Sequence, residues 1–296
     1  SVAIGYQAFN LATSGYQDAC IAIGSYALKI QNSSVYAKNI AIGFACMTAS
    51  VEMTETVAIG YNAMGGNTNG DYNVAIGNLA MGANGSSANP SHNVAIGFAA
   101  YQHVNLNGDG NNTIIGDEAA QALTTGTGNV LIGTACNTEG SNVLRSNGLG
   151  QGITTATDTT TIGNSTNDIR STNGNTTWST VSDRRFKTNI ETSTAGLNFI
   201  NDLRPVTFNW KTKGEIPTWS RAYEEGSNEQ FRNATRNHGF IAQEVKAVID
   251  AHSEIKDGFS MWSERNGSGS FQEVGETAVV PILVKAMQEL STKVEE

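Results

Sequence analysis

The sequence predicts a mainly β repeat shaft, a parallel β-roll or solenoid, followed by a small α+β domain that ends in a coiled-coil helix. Three observations support this prediction. The dipeptide Ile-Gly recurs nine times within residues 1–166, basic residues concentrate after Ser182, and apolar residues near the C-terminus have heptad spacing. These observations divide the chain into a shaft at 1–166, a linker or last turn at 167–181, and a C-terminal domain at 182–296.

The shaft prediction rests on the spacing of its Ile-Gly pairs, which lie 17 to 20 residues apart until a final gap of 30. In a unit such as "NVAIG" at 73–77, larger and smaller apolar residues alternate, and a period of two predicts a strand. The glycine permits a sharp bend, and polar stretches supply turns. One coil cannot bury its own strand, so we expect stacked coils with Ile76 and its equivalents pointing inward.

A second register of small residues runs through the repeats, three positions after each of the first eight glycines. Its members are Ala8, Ala27, Cys46, Ala63, Ala80, Ala100, Ala119 and Cys136. A position held by Ala or Cys indicates tight packing, so two of the three cysteines are interpreted as small buried residues. An odd cysteine count without Cys-x-x-Cys argues against a disulfide framework and against a zinc site. We expect no metal and no cofactor.

The charge distribution argues against two classes of partner. The chain carries 18 basic and 27 acidic residues, and only four of the basic ones precede Ser182. No basic stripe exists, so we expect no nucleic-acid partner. No apolar run approaches the roughly 18 residues of a transmembrane helix, so we expect no membrane insertion.

The "NVAIGxxA" units resemble the head repeats of trimeric autotransporter adhesins over about residues 1–166. That resemblance implies a left-handed parallel β-roll in a homotrimer. Homotrimer formation also has a physical reason here, because a single column of coils leaves one flank of Val and Ile exposed. The repeats are longer than the usual coil of that family, so loops must bulge outward. The last unit has Thr166 where Ala is expected and resembles an atypical cap.

Two interpretations are open for the aromatic residues of the shaft. Exposed rings on loop tips would contact a host surface receptor or glycan. Alternatively, Tyr6 and Tyr61, each directly after an Ile-Gly pair, pack on the neighbouring coil, and we favour this second interpretation. The tyrosines predicted at loop tips are Tyr6, Tyr16, Tyr36, Tyr61, Tyr72 and Tyr101.

The C-terminal domain has mixed patterning. Helices are predicted over 196–203 and 238–250, a strand over 205–210, and loops over 213–236 and 252–271. After Pro281, the residues Leu283, Met287, Leu290 and Val294 step by four, three and four, which is a heptad seam. This seam packs either on its own domain or between chains, and we favour the second because little sequence remains for it to face.

The stretch "SDRRFKTNI" at 182–190 contains a serine and a lysine five positions apart. Most such pairs are solvated surface. A serine becomes a nucleophile only when a base removes its proton, and a lysine is that base only when its pKa falls toward 7–8. The stretch is followed in order by "LRPVTFNW", "GFIAQEV" and "VVPILVKAMQEL". Together these four motifs resemble the intramolecular chaperone domain of phage tailspikes and tail fibres, the S74 peptidase family.

The resemblance implies a chaperone domain that trimerises the shaft and then cleaves itself off between Val181 and Ser182. Carried over by motif, Ser182 is the nucleophile and Lys187 its general base, so the enzyme is an autocatalytic serine endopeptidase. Asp183 and Arg185 complete the motif and support the loop. The resemblance also implies a virion tail fibre, made in the host cytoplasm, whose shaft takes part in host-cell attachment.

Three alternatives remain beside this interpretation. A bacterial trimeric surface adhesin would have the same shaft but would be expected to finish in a membrane anchor, whereas this chain finishes in the charged helix "KAMQELSTKVEE". A chaperone module that releases a membrane-tethered transcription factor would need a DNA-binding domain, which acidic repeats do not supply. A glycan-cleaving enzyme would need a carboxylate pair that stands out from the turn residues.

Overall fold

The computed structural model describes residues 1–10, 19–30, 37–82, 89–105, 107–265 and 271–296. They form two compact units, Ser1–Phe186 and Lys187–Glu296. The predicted tyrosines Tyr16 and Tyr36 lie outside the described residues. The domain boundaries that the sequence predicts at 166 and 181 stay predictions.

The first unit is a β-solenoid, which confirms the predicted fold class of the shaft. Its strands are β1 Val2–Ile4, β2 Ile21–Ile23, β3 Ile40–Ile42, β4 Val57–Ile59, β5 Val74–Ile76, β6 Asn89–Ser91, β7 Val94–Ile96, β8 Asn107–Asp109, β9 Thr113–Ile115, β10 Val130–Ile132, β11 Asn137–Thr138, β12 Asn147–Gln151, β13 Thr154–Thr155, β14 Thr159–Asn164 and β15 Asn167–Thr172. The main sheet of the described residues has the order β1-β2-β3-β4-β5-β7-β9-β10-β12-β14-β15. Neighbours in it are parallel except β15, which pairs antiparallel with β14.

The register keeps each Ile-Gly pair beside the next, as Ile4 beside Ile23 and Ile76 beside Ile96. The final gap of 30 residues contains a coil that the Ile-Gly search missed. Leu149 pairs with Ile132 on one side and with Ile162 on the other, so Leu149-Gly150 replaces the expected dipeptide. Stacking therefore continues without interruption.

The inward face of each strand is the opposite of the one predicted. Ala75 is fully buried, whereas Val74 and Ile76 are only partly buried, so the expectation that Ile76 points into the coil is wrong. The physical reason is the small cross-section of a coil. In the coil whose interior is filled by the large ring of Tyr101, the inward residue of the strand is the small Ala95. In the next coil Ala120 stands at the position equivalent to Tyr101, and the inward residue of the strand is the larger Ile114.

Glycine is required at the end of each strand because consecutive coils approach so closely there. Gly97 has a φ of 135°, a region that side chains rarely adopt, and a Cβ on it would lie 2.4 Å from the carbonyl oxygen of Gly116. The strand therefore turns at this residue without any side chain between the coils.

The predicted register of small residues is confirmed from the second coil onward. Ala27, Cys46, Ala63 and their equivalents are fully buried in one continuous core. Cys20 is buried as well, and all three cysteines are free thiols. Burial raises the pKa of Cys46 to about 12 and that of Cys136 to about 11, so both thiols are protonated and unreactive at neutral pH.

The structure tests the predictions made for three tyrosines of the shaft. Tyr6 packs edge-to-face on Tyr26 of the next coil with ring centroids 5.5 Å apart, and Tyr61 stacks on Phe44 at 5.6 Å. Packing on the neighbouring coil is thus confirmed for both. The expectation that Tyr101 lies at a loop tip is wrong, because its ring is fully buried and its hydroxyl accepts a hydrogen bond from Asn112 Nδ2 at 3.1 Å.

A ladder of buried asparagines occupies the position before successive strands. The Oδ1 atom of Asn112 accepts hydrogen bonds from both the backbone N and the Nδ2 of Asn129, at 3.0 and 3.1 Å. Asn93 accepts in the same way from Asn112, so each amide links one coil to the next. The side-chain Nδ2 of Asn112 also donates to the carbonyl of Gly126 at 3.0 Å. The ladder pairs polar backbone groups that water cannot reach.

The second unit is a small α+β domain. Its elements are α1 Leu197–Asp202, β16 Val206–Phe208, β17 Asn237–Gly239, α2 Ala242–Ala251, β18 Trp262–Arg265, β19 Phe271–Val274, a 3-10 turn Glu276–Val279, and α3 Val280–Glu295, while the 3-10 turn Arg184–Phe186 ends the first unit. The pairs β16–β17 and β18–β19 are antiparallel. Strand β18 corrects the prediction that residues 252–271 form a loop. No helix within the described ranges combines the length and apolar character needed to cross a bilayer.

The core of this domain surrounds Phe199 of α1, which is fully buried with Val245, Ile249 and Met261. Helix α3 contributes more than packing. The carboxylate of Glu289 accepts a hydrogen bond at 2.9 Å from the backbone N of Leu197, the first residue of α1, and this bond lowers the pKa of Glu289. A carboxylate at a helix N-terminus is stabilising, so α3 also caps α1.

His252, directly after α2, is held between two carboxylates. Its Nε2 lies 2.9 Å from Asp202 Oδ2 and its Nδ1 lies 2.9 Å from Glu254 Oε1, while its ring contacts Phe199 edge-on. The hydrogen bonds to Asp202 and then Glu254 raise the pKa of His252 above its ordinary 6.5. The imidazole ring therefore joins the ends of α1 and α2.

We expect Asn112→Ala to destabilise the shaft by roughly 1–3 kcal/mol, because the buried backbone N–H of Asn129 loses its acceptor. Denaturant unfolding followed by circular dichroism measures the effect. Asn105→Ala, at an exposed asparagine, is the control and should change little. Equal unfolding midpoints for the two variants would contradict the role of the ladder.

The stability of the C-terminal domain should depend on pH through His252. Because its folded pKa is raised, the stabilisation is complete below pH 6.5 and is lost as the pH rises through the folded value. Melting followed by tryptophan fluorescence should show this loss in the wild type and a flatter profile for His252→Gln. A wild-type profile that is flat or rises across this window would refute it.

Candidate cleavage site

The chain reaches the predicted cleavage bond along the edge of β15. Arg170 and Ser179 form an antiparallel bridge in which each backbone N donates to the other's carbonyl at 2.8 Å. The hydroxyl of Thr180 donates to the carbonyl of Asp168 at 3.2 Å. The residues just before Val181 are therefore bonded to the edge of β15 through an isolated bridge and the Thr180 hydroxyl.

Strand β15 is itself fixed to earlier coils by the side chain of Arg170. Its guanidinium lies 2.5 Å from Glu139 Oε1, donates to the carbonyl of Thr154 at 2.8 Å, and donates to the hydroxyl of Thr161 at 3.2 Å. Directly after β15, Asn173 donates to the carbonyl of Arg145 at 2.8 Å. These bonds can form only when the final coils are stacked in register.

The bond Val181–Ser182 is accessible. Val181 is 59% exposed and Ser182 is exposed too, so solvent reaches the region where hydrolysis is expected. Beside the bond, an open cavity of about 800 Å³ is lined in part by Asp168, Arg170, Val181 and Phe186, all within the first unit.

Asp183 and Arg185 form a local clamp around the turn that follows Ser182. The carboxylate accepts hydrogen bonds from the backbone N of Arg185 at 2.8 Å and from its Nη2 at 2.6 Å. The guanidinium lowers the pKa of Asp183, and the carboxylate raises that of Arg185. An ionised, paired carboxylate is a weak base, and the pair closes the turn Arg184–Phe186.

Ser182 and Lys187 fall on opposite sides of the division between the two compact units, and both side chains are exposed. Ser182 stands near the end of the first unit, and Lys187 is the first residue of the second. Their pairing as nucleophile and base stays a prediction, as do the supporting roles of Asp183 and Arg185.

Sequence reasoning missed the residues that hold the segment before the cleavage bond, namely Arg170, Ser179 and Thr180. The signal was present but weak. The runs "TTTIGN" and "NDIRST" flank the two residues Ser165 and Thr166, which is the spacing of a tight hairpin, and Ser165 has a φ of 52°.

Comparison with family models matches residues 182–254 to the peptidase S74 family, described as the chaperone of endosialidase. Comparisons with curated proteins and with solved structures gave no match. The chain thus carries an S74 chaperone domain behind a repeat shaft, as its motifs predict. The family implies autocatalytic peptidase activity in general, and its match begins at Ser182.

Proposed function

We propose that this protein is the shaft of a homotrimeric virion tail fibre whose C-terminal domain drives assembly and then removes itself at Val181–Ser182. The observation that carries the proposal is that each compact unit leaves a row of apolar side chains exposed or only partly buried. One face follows the strands of the shaft, and the other follows α3. The family match at residues 182–254 supports the chaperone and cleavage parts of the proposal.

The apolar face of the shaft consists of the Val and Ile side chains that point away from each coil. Exposure is 59% for Ile4 in the first coil, 53% for Leu149 and 38% for Ile162 in the last coils, and the equivalent isoleucines of the coils between them are partly buried. The parallel register aligns these side chains in rows along the shaft. Large contiguous apolar patches on soluble proteins mark interaction surfaces, and identical copies of the same shaft would cover this one.

The second face lies on α3 and contains the predicted heptad residues. Leu283, Met287, Leu290 and Val294 are between 41% and 78% exposed. The same helix uses Ile282 and Ala286 to pack on its own domain, so its two faces have separate roles. Helices with such a seam associate with one another, and three copies of α3 would form a coiled coil.

Assembly before cleavage has a physical reason. Three long shafts must meet in one register, and pairing between distant segments is slow because the loop-closure entropy is lost first. A compact domain that trimerises early would bring the shafts together. Its removal would then leave the shaft kinetically trapped, because the route to disassembly is lost.

The proposed reaction is an acyl shift followed by hydrolysis. The hydroxyl of Ser182 attacks the carbonyl carbon of Val181 and gives up its proton to Lys187. Lys187 returns a proton to the Ser182 nitrogen as the peptide bond breaks, which leaves an ester between Val181 and the Ser182 oxygen. Water hydrolyses the ester to a Val181 carboxylate and a new N-terminal serine. Lys187 is exposed in the single chain, and the proposed step requires it to accept a proton, so assembly is expected to bury this side chain before cleavage.

The alternative is a bacterial trimeric surface adhesin with the same shaft. The exposed Val and Ile rows fit both proteins equally. The S74 domain favours the tail fibre, because its resemblance is to the chaperone domains of phage fibres. Host attachment through a surface receptor or glycan belongs to this proposal and follows from it by analogy.

We expect a homotrimer in solution. Sedimentation equilibrium at micromolar concentration should give three times the chain mass of 31.3 kDa for the uncleaved Ser182→Ala variant. Ile76→Asn should weaken the trimer, whereas Asn105→Ala should leave it intact. A stable monomer of the Ser182→Ala variant would contradict the assignment.

Cleavage is the second expected outcome. Purified wild type should yield residues 1–181 and 182–296, and mass spectrometry should identify serine at the new N-terminus. Ser182→Ala should remain full length and still trimerise, because assembly needs the fold and not the chemistry. Lys187→Ala and Lys187→Arg should both fail to cleave, since guanidinium does not deprotonate in proteins. If Lys187→Arg cleaves at the wild-type rate, Lys187 acts only as a structural cation and the Ser–Lys mechanism is wrong.

A further inference from the structure

We propose that the outer edge of β15 positions the scissile segment, with Arg170 as a positioning residue, so that self-cleavage waits for the last coil of the shaft to fold. The inference rests on the proposed cleavage at Val181–Ser182. It adds a control on the timing of that cleavage, supplied by the part of the chain that is cut away from the chaperone domain.

The first argument is the hydrogen bonding along the edge of β15. In a strand, alternate residues direct their backbone groups to the same side, and Asp168, Arg170 and Thr172 share the side opposite β14. Two of these carbonyls accept a hydrogen bond from the segment just before Ser182. The donors are the Thr180 hydroxyl for Asp168 and the Ser179 backbone for Arg170, while Asn175 donates to Thr172 and closes the turn after β15. The segment is therefore held at two neighbouring residues, directly before the scissile bond.

The second argument is reach. Thr180 is bonded to β15, and Ser182 follows two residues later, within about 7 Å of extended chain. The docked segment thus confines the scissile peptide to a small volume beside the shaft. Confining a reacting group in this way supplies much of the rate gain of an intramolecular reaction.

The third argument is that the docking edge exists only after the coils have stacked. The guanidinium of Arg170 binds Glu139, Thr154 and Thr161, which come from preceding coils. These contacts add to the antiparallel pairing with β14, so the edge on which the segment docks is completely held only when the last coils have stacked. The cleavage bond is then presented only by a shaft that has folded to its end.

The test separates backbone docking from side-chain loss at Ser179. Ser179→Pro removes the N–H that donates to Arg170, while Ser179→Ala retains it. Both changes lie in an exposed segment outside the coil core. Cleavage is followed on gels after transfer to native buffer, with wild type as the reference and Ser182→Ala as the uncleaved control.

We expect Ser179→Ala to cleave at the wild-type rate and Ser179→Pro to cleave about tenfold more slowly, as for loss of one positioning hydrogen bond. Arg170→Met should also slow cleavage, and Arg170→Lys should restore part of the rate. In the Ser182→Ala background, adding Ser179→Pro should leave the melting temperature of the shaft unchanged. In the Ser182→Ala variant alone, the backbone amide of Ser179 should exchange slowly with deuterium.

The outcomes distinguish this inference from the proposed function. If wild type cleaves, Ser182→Ala does not, and Ser179→Pro matches wild type, the positioning role is wrong and the cleavage mechanism stands. If Ser179→Pro slows cleavage and also lowers the melting temperature of the shaft, the slower cleavage would reflect a structural role, and the inference would again be overturned. If wild type itself remains whole, the proposed cleavage fails first.

Discussion

The close approach of consecutive coils at their glycines is the constraint on which the rest of the structure depends. At Gly97 and its equivalents, the backbone of one coil lies against the carbonyl of the next with no space for a Cβ. This contact sets the register, and the register brings Asn73, Asn93, Asn112 and Asn129 each within hydrogen-bonding distance of the next. A substitution at one glycine would therefore disturb both the strand pairing and the ladder.

A coil this narrow has room for little inside. Alanine occupies the inward position of most strands, and the larger Val and Ile side chains point outward. The stacked coils are well ordered, but their outward apolar rows remain partly or fully exposed to water, and we infer that association of chains covers them. In the C-terminal domain the division is similar, because α3 uses one face for its own core and leaves the heptad face outside. Both units place their assembly surface on residues that the monomer cannot bury.

The way in which the solenoid ends has consequences for the proposed cleavage. After β14 the chain reverses, and β15 pairs antiparallel instead of starting another coil. An unpaired strand edge is a site for adding a further strand, and here the segment leading to Ser182 occupies it. Folding of the shaft and presentation of the cleavage bond are then parts of one structural event in our proposal.

The sequence by itself determined the repeat, its strands, the buried Ala and Cys register and the S74 motif that contains Ser182, Asp183, Arg185 and Lys187. Each of these features can be recognised from the spacing of neighbouring residues or from an ordered set of motifs. Only the tertiary structure decided that Ala75 faces inward and Ile76 outward, because a period of two marks two faces without saying which one the coil encloses. It also revealed the coil at Leu149, where the repeat residue changes but the stacking does not. The docking of Ser179 on Arg170 depends on a hairpin whose two sides meet only when the final coils have stacked, and no local pattern records that contact.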